Sequence, residues 1–202
     1  MSGHHTGEKI VLASNNAGKV REINQLLASQ RIQVVPQREF AIPDAVEDGL
    51  SFVENAIKKA RHAAQLSRLP AIADDSGIEV DALHGAPGIY SARFAGVGAT
   101  DEENLRKLLA ELREVPEAQR SARFQCLMVY MRHAEDPTPI ICQGTWEGRI
   151  LFEPRGENGF GYDPVFYVPT HECSSAELPA DEKNRLSHRG QALQKLLVEL
   201  SK

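Results

Sequence analysis

Three short stretches of this sequence gather the residue types that handle phosphates, water and a flat ring. Ala73-Asp74-Asp75-Ser76-Gly77 sets two carboxylates side by side in an extended segment. Neighbouring side chains on such a segment point to opposite faces, so two different tasks are expected of them. One faces a cleft at the end of its strand, where open α/β sheets usually place their ligands. A carboxylate there can hold Mg2+ and accept a proton from water, since magnesium takes oxygen ligands, keeps waters and shares substrate phosphates. Glu47, in Glu47-Asp48-Gly49, is the candidate second carboxylate. Taken alone, the aspartates read equally as solvated turn acids or as a cap on neighbouring backbone.

The second stretch is Ser14-Asn15-Asn16-Ala17-Gly18-Lys19, a polar loop between an apolar strand and a helix. Free N–H groups and the helix dipole favour an anion at such a helix start, and Lys19 adds a full cation. It is not a Walker A loop: Ala13 stands where the first glycine belongs and Val20 where the Ser or Thr belongs. A plain strand-to-helix turn fits the loop as well. The third stretch is Gly159-Phe160-Gly161-Tyr162-Asp163. Two aromatics can stack on a purine and the glycines allow close backbone approach, although a hairpin turn with two core aromatics has the same composition. Lys183, His188 and Arg189 are potential donors to a phosphate or a keto oxygen, or surface charges. Glu54 and Lys58 have the spacing of a surface i,i+4 pair.

The elements that must position these residues follow from periodicity. Lys9 to Ala13 reads as a buried first strand, Val20 to Leu27 as a helix and Ile32 to Val35 as a second strand stopped by Pro36. Ser51-Phe52-Val53-Glu54 has capping-box form and opens a helix carrying Phe52, Val53, Ala56, Ile57, Ala60 and Ala63. A short strand Ala71 to Ala73 ends in the two aspartates, and Ile78 to Leu83 continues extended. Thr100 starts a helix with a leucine stripe. Arg123 to Arg132 and Thr138 to Gly144 alternate as strands, Arg149 to Phe152 is a shorter one, and Val165 to Val168 follows the third stretch. A helix from Arg189 to Leu200 closes the chain. The expected fold is a mixed α/β one, with long strands forming a sheet and helices packed on it. Residues 1–8 read as a disordered polar lead and residues 9–202 as a single domain.

Composition excludes several classes. A hydrophobic share of 42% supports a core without disulfides, and the three cysteines are too widely spaced for a zinc knuckle or a disulfide framework. No apolar run is long enough to span a bilayer, so no membrane partner and a cytoplasmic location are expected. Lys and Arg number 23 against 28 Asp and Glu, a net charge of −5, which argues against a protein that coats a nucleic-acid polymer.

Together the segments SNNAGKVREI, ENAIKKA, AIADDSGIEVDALHGAPGIYSARFAG, GFGYDPVFYVP and SHRGQAL resemble the inosine triphosphate pyrophosphatase family, most closely its bacterial dITP/XTP members. The likeness spans almost the whole chain, and the ordered set of five is far more specific than any one segment. It implies an elongated central β-sheet flanked by helices, with two lobes and a nucleotide cleft between them. It also implies hydrolysis of deaminated purine nucleoside triphosphates to the monophosphate and pyrophosphate, with Mg2+ as cofactor and a homodimer. It further implies that Ser14, Asn15, Asn16, Ala17, Gly18 and Lys19 form the triphosphate loop. Asp75 becomes general base and metal carboxylate, and Glu47 the second metal ligand. Ser76, Phe160, Gly161, Tyr162, Asp163, Lys183, His188 and Arg189 become nucleotide contacts. The loop has Ser14-Asn15 where relatives often show Thr-Gly or Thr-Asn; serine keeps the hydroxyl. Two alternatives use the same residues: a non-catalytic nucleotide sensor, and a pyrophosphatase for other nucleotides.

Overall fold

The computed structural model describes residues 9–27 and 32–202, and the polar lead expected over residues 1–8 lies outside them. Apolar Lys9–Leu12 (β1) pairs in parallel with Gln33–Pro36 (β2), with Ile10 opposite Val34. On its other side β1 pairs in parallel with Ala71–Val80 (β3), but only through Val11 with Ala71 and Leu12 with Ile72. Ser121–Met131 (β4), Ile140–Ile150 (β5), Phe166–Val168 (β6) and Cys173–Ser174 (β7) extend the sheet to seven strands in the order β2-β1-β3-β4-β5-β6-β7. The last two pairings, β5 with β6 and β6 with β7, are antiparallel. The sheet is therefore mixed, as the sequence led us to expect, and helices flank it.

The helices are Ala17–Leu27 (α1), Phe52–Ser67 (α2), Asp101–Glu111 (α3), Ala180–Leu186 (α4) and His188–Leu200 (α5). Ser51 caps α2 by accepting the Glu54 N–H, and Thr100 and Glu103 close a full capping box on α3. Helix α2 buries Ala56, Ala60, Ala63 and Ala64, and small side chains there let the helix lie close on β1 and β3. Among the described residues no helix is long and apolar enough to cross a membrane. All three cysteines are free thiols.

Two compact units emerge. One contains the described residues up to Asp75 with Leu127–Cys142 and Leu193–Lys202; the other contains Ser76–Cys126 and Gln143–Ala192. The first packs Val11, Ala13, Ile42, Ala71, Ala73, Val129 and Met131 against the alanines of α2. The second packs Ile78, Val80, Leu105, Leu108, Phe124, Trp146, Val165 and Phe166. Within this second core Arg120 is 1% exposed, and it donates to the carbonyls of Ile150, Leu112, Val115 and Leu151. No carboxylate among the described residues pairs with it.

Several elements differ from the sequence expectation for identifiable reasons. β3 is one continuous strand of ten residues, so Asp74 and Asp75 lie within it and not at its end. The end that matters belongs to β1, whose pairing with β3 stops at Ile72, just before the acids. β5 is likewise continuous where two shorter strands were expected around Gly144 and Gly148. These glycines permit close approach: a Cβ on Gly144 would sit 1.9 Å from the His188 carbonyl oxygen, and one on Gly148 2.4 Å from that of Tyr167. Helix α4 was not anticipated, being a single polar two-turn segment without an apolar stripe.

Candidate active site

The first cluster is built where β1 delivers the chain to α1. Asn16 takes the cap position: its Oδ1 accepts the Lys19 N–H at 3.0 Å and its carbonyl accepts that of Val20 at 3.0 Å. This starts the helix at Ala17 and not at Val20, a turn earlier than the apolar stripe alone indicates. The amides of Ala17 and Gly18 fall in the first helical turn, where no carbonyl of the helix reaches them. Buried Ser14 tightens the loop by accepting the Asn16 N–H at 3.2 Å, and Asn15 is drawn aside to Asp44 at 2.8 Å. Sequence reasoning gave Asp44 no part; it also receives Gln37, at 2.7 Å.

Lys19 reaches β3, where its ammonium donates to the Asp74 carboxylate at 2.9 Å and to the Asp74 carbonyl at 3.2 Å. Asp74 is fully buried, so this pair is a fixed part of the interior. Asp75 projects to the other side and meets a second lysine, Lys59 of α2, at 2.9 Å. The same ammonium donates to the Asp74 carbonyl at 2.8 Å and lies 3.1 Å from a Glu47 carboxylate oxygen. The alternation of a strand thus splits the two acids between two lysines, as their adjacency foretold.

Charge in this cluster is uneven: three carboxylates face two ammonium groups. Burial pushes the Asp75 carboxyl above the usual range; Lys59 and Lys19 oppose that, and Glu47 adds to it. Burial works against the Lys59 ammonium, yet Asp75, Glu47 and Asp74 outweigh it and hold its pKa above the ordinary value. Asp75 is therefore a carboxylate with raised basicity, held in place by a lysine that stays charged.

Lys59 is the residue that sequence reasoning missed. The signal was present, since Lys59 immediately precedes Ala60 at the margin of the buried alanine face. Its neighbour Lys58 does not pair with Glu54. It pairs with Asp48, because Glu54 is occupied by the Ser51 hydroxyl and the Leu50 N–H at the start of α2.

The second cluster lies in the other unit and is organised by Asp163. Its Oδ2 accepts the Phe160 N–H at 2.8 Å and the Lys183 ammonium at 2.6 Å, and its Oδ1 accepts the Ser175 hydroxyl at 2.9 Å. Gly159 has φ of 79°, and a Cβ there would lie 2.1 Å from the Asp163 carboxylate, so only glycine fits the turn. Gly161 donates its N–H to Asp101 at 2.9 Å. The two aromatics part company. Tyr162 is buried and its hydroxyl donates to the Ser91 carbonyl at 2.8 Å, so its ring belongs to the core. Phe160 is only half-buried, with the Lys183 ammonium 5.2 Å and the Arg189 guanidinium 5.6 Å from its ring centre.

Arg189 and His188 are buried at the start of α5 rather than displayed on the surface. Arg189 reaches the Ser76 hydroxyl at 3.4 Å, and the His188 ring stacks on Phe124 with ring centres 4.7 Å apart. Every site residue anticipated from sequence thus lies in one of the two clusters. Ser14, Asn15, Asn16, Ala17, Gly18, Lys19, Glu47 and Asp75 are in the first; Ser76, Phe160, Gly161, Tyr162, Asp163, Lys183, His188 and Arg189 are in the second.

The chain is similar to known proteins over almost its whole length. A dITP/XTP pyrophosphatase of Vibrio cholerae is 62% identical over 189 residues, covering 94% of each chain. One of Thioalkalivibrio sulfidiphilus is 62% identical over 192 residues, covering 95% of this chain and 98% of its own. The solved structure of a HAM1 protein from Coxiella burnetii superimposes with a TM-score of 0.88 at 52% identity, over 96% of this chain and 98% of that one. Residues 10–199 match the model of the Ham1 family, and to that family the chain belongs.

Proposed function

We propose that this chain hydrolyses deaminated purine nucleoside triphosphates (dITP, ITP, XTP and dXTP) to the monophosphate and pyrophosphate by attack of water on the α-phosphorus. In this way it clears them from the nucleotide pool. The carrying observation is the convergence of Asp75 and Glu47 on the Lys59 ammonium, next to the Asp74–Lys19 pair. The substrate class is supported by the activity named for relatives at 62% identity.

Mg2+ is the cofactor this donor set suits. Asp75 and Glu47 would hold it, the latter through a carboxylate still 33% exposed. Among the described residues no three His, Cys, Asp or Glu side chains form a metal cage. That accords with an ion held by one or two carboxylates together with phosphates and water. When bound, Mg2+ neutralises phosphate charge and makes the attacking water more acidic.

The chain's own groups do the rest. Asp75, made more basic by burial, takes the proton of the attacking water. Lys59 fixes its orientation. The Ala17 and Gly18 amides at the start of α1 hold phosphate oxygens with Lys19, which Asp74 keeps in position. Phe160 offers a face for the base, while Lys183, Arg189 and His188 supply donors for the 6-keto oxygen that inosine and xanthine carry and adenine lacks. Asp163, Gly161 and Tyr162 hold that loop, and Ser76 steadies Arg189. The enzyme acts as a homodimer in the cytoplasm.

Pyrophosphate release from ITP, XTP, GTP and ATP, with Mg2+ or EDTA, tests the proposal. ITP and XTP should be cleaved far faster than ATP, and only with metal. Equal rates for ITP and ATP would refute keto recognition, and turnover by Asp75→Asn would remove the assigned base. Nucleotide binding without any pyrophosphate release would establish a sensor instead.

A further inference from the structure

Residues 42–49, which carry Glu47, adopt no regular secondary structure. Asn15 and Gln37 hold the first half of this segment at Asp44, and the start of α2 holds the second half, from Glu47 onward, residue by residue in reverse order. Lys59 takes Glu47 and Lys58 takes Asp48. Asn55 Oδ1 accepts the Gly49 N–H at 2.8 Å. Glu54 accepts both the Leu50 N–H, at 2.9 Å, and the Ser51 hydroxyl, at 2.8 Å. The outer contacts are open to water, Asp48 being 70% exposed and Leu50 86%. Such contacts hold little, because water replaces them readily. The central bond differs: Asn55 is fully buried and Gly49 is buried with it. Its loss would strand a buried amide, which water cannot reach to compensate.

Two further observations single out this bond. Gly49 packs so closely that a Cβ would lie 2.7 Å from Asn55 Oδ1 and 2.8 Å from Glu54 Cβ. The Asn55 Nδ2 group is buried without a hydrogen-bond partner. A side chain chosen for stability alone would not bury an unmet donor, so the accepting Oδ1 is what the position requires.

We propose that Asn55 is a positioning residue: by pinning Gly49 from the buried side it places Glu47 so that Glu47 and Asp75 share one ammonium. This rests on the metal-holding role proposed above for Glu47. The test uses the full chain and four variants: Asn55→Ala, Gly49→Ala, Glu47→Gln, and Asn55→Ala combined with Glu47→Gln. The readouts are kcat and KM for ITP at saturating Mg2+ and, without nucleotide or metal, hydrogen exchange at the Gly49 amide.

Asn55→Ala should abolish Gly49 amide protection. It should lower kcat/KM on the order of ten- to a hundredfold, the scale of a small misplacement of a catalytic group. In the Glu47→Gln background the same change should add no more than about twofold, because the group being positioned is already disabled. Should Asn55→Ala fail to fold, Gly49→Ala breaks the same bond from the segment side and is expected to give the same kinetic loss. Losses that multiply across the double variant, or near wild-type kcat/KM in Asn55→Ala, would overturn the positioning role while leaving Glu47 its own. A fully active Glu47→Gln would instead remove the role of Glu47, and the proposal with it.

Discussion

Replacing Lys59 by methionine isolates the balance of charge at the centre of the first cluster. Methionine keeps most of the length and all of the apolar packing, and it removes the ammonium. Lys59 is 9% exposed and Asp75 7%, so the pair is an interior one. Removing one partner of a buried ion pair costs ~3–5 kcal/mol, because the other is left buried and uncompensated. Lys19 still lends Asp75 some charge and Asp75 can take up a proton, which points to the lower end, about 3 kcal/mol. The pH dependence follows in sign. The folded Asp75 carboxyl already lies above its ordinary value of 3.8, and losing Lys59 raises it further. A carboxyl whose folded pKa exceeds its unfolded one binds protons more tightly when folded, so stability is kept at low pH and lost as pH rises through the folded pKa. Urea unfolding of Lys59→Met against the parent should therefore show a larger deficit at about pH 8 than at about pH 5.5. The acid limb of kcat/KM should move to higher pH in parallel. An equal deficit at both pH values, or an acid limb that stays put, would refute the description of Asp75 as a buried base balanced by Lys59.

Phe160→Ala should raise KM for ITP, since stacking on a base contributes ~1–3 kcal/mol; a KM unchanged within about twofold would remove Phe160 from base recognition. Asp136 accepts from the Arg132 guanidinium and from the Arg132 and Thr138 N–H groups, which hold its carboxyl well below the usual range. Its contribution is therefore present above the unfolded carboxyl pKa and is lost as pH falls toward the folded one. Asp136→Asn should destabilise the protein at neutral pH, and that loss should shrink in acid unfolding curves. Gly144→Ala forces a Cβ to 1.9 Å from the His188 carbonyl oxygen, and an overpacked interior of that kind costs ~1–3 kcal/mol or more. Denaturation midpoints measure it directly.

The sequence announced the chemistry more clearly than the architecture around it. The loop before α1, the acidic pair and the glycine-aromatic loop were legible because their residue types are unusual where they occur. The alternation of a strand correctly set Asp74 and Asp75 on opposite sides, where each meets its own lysine. The continuity of β3 and β5 was not legible, because Gly77, Gly144 and Gly148 look like breaks when only the local segment is in view. The physical reason for two of them, Gly144 and Gly148, is a backbone from a distant part of the chain lying against the strand. Lys59 was hidden by similar means: its partners are 12 and 16 residues away and on separate elements, so helical spacing alone pairs Lys58 with Glu54 instead. Tyr162 and Phe160 are two residues apart and similar in kind, and only burial tells the core ring from the one left open.

Arg120 adds a contrast that bears on how the protein answers to acidity. A guanidinium stays protonated under any condition in which the chain is folded, and this one is satisfied by four carbonyl oxygens, which do not titrate. The fastening of the end of α3 and the turn after it to the end of β5 is thus indifferent to pH. In the first cluster, by contrast, burial raises the Asp75 carboxyl while Lys59 stays charged beside it. The second core is thus held by a charge that does not answer to pH, whereas the Asp75–Lys59 pair, itself buried, couples protonation to stability.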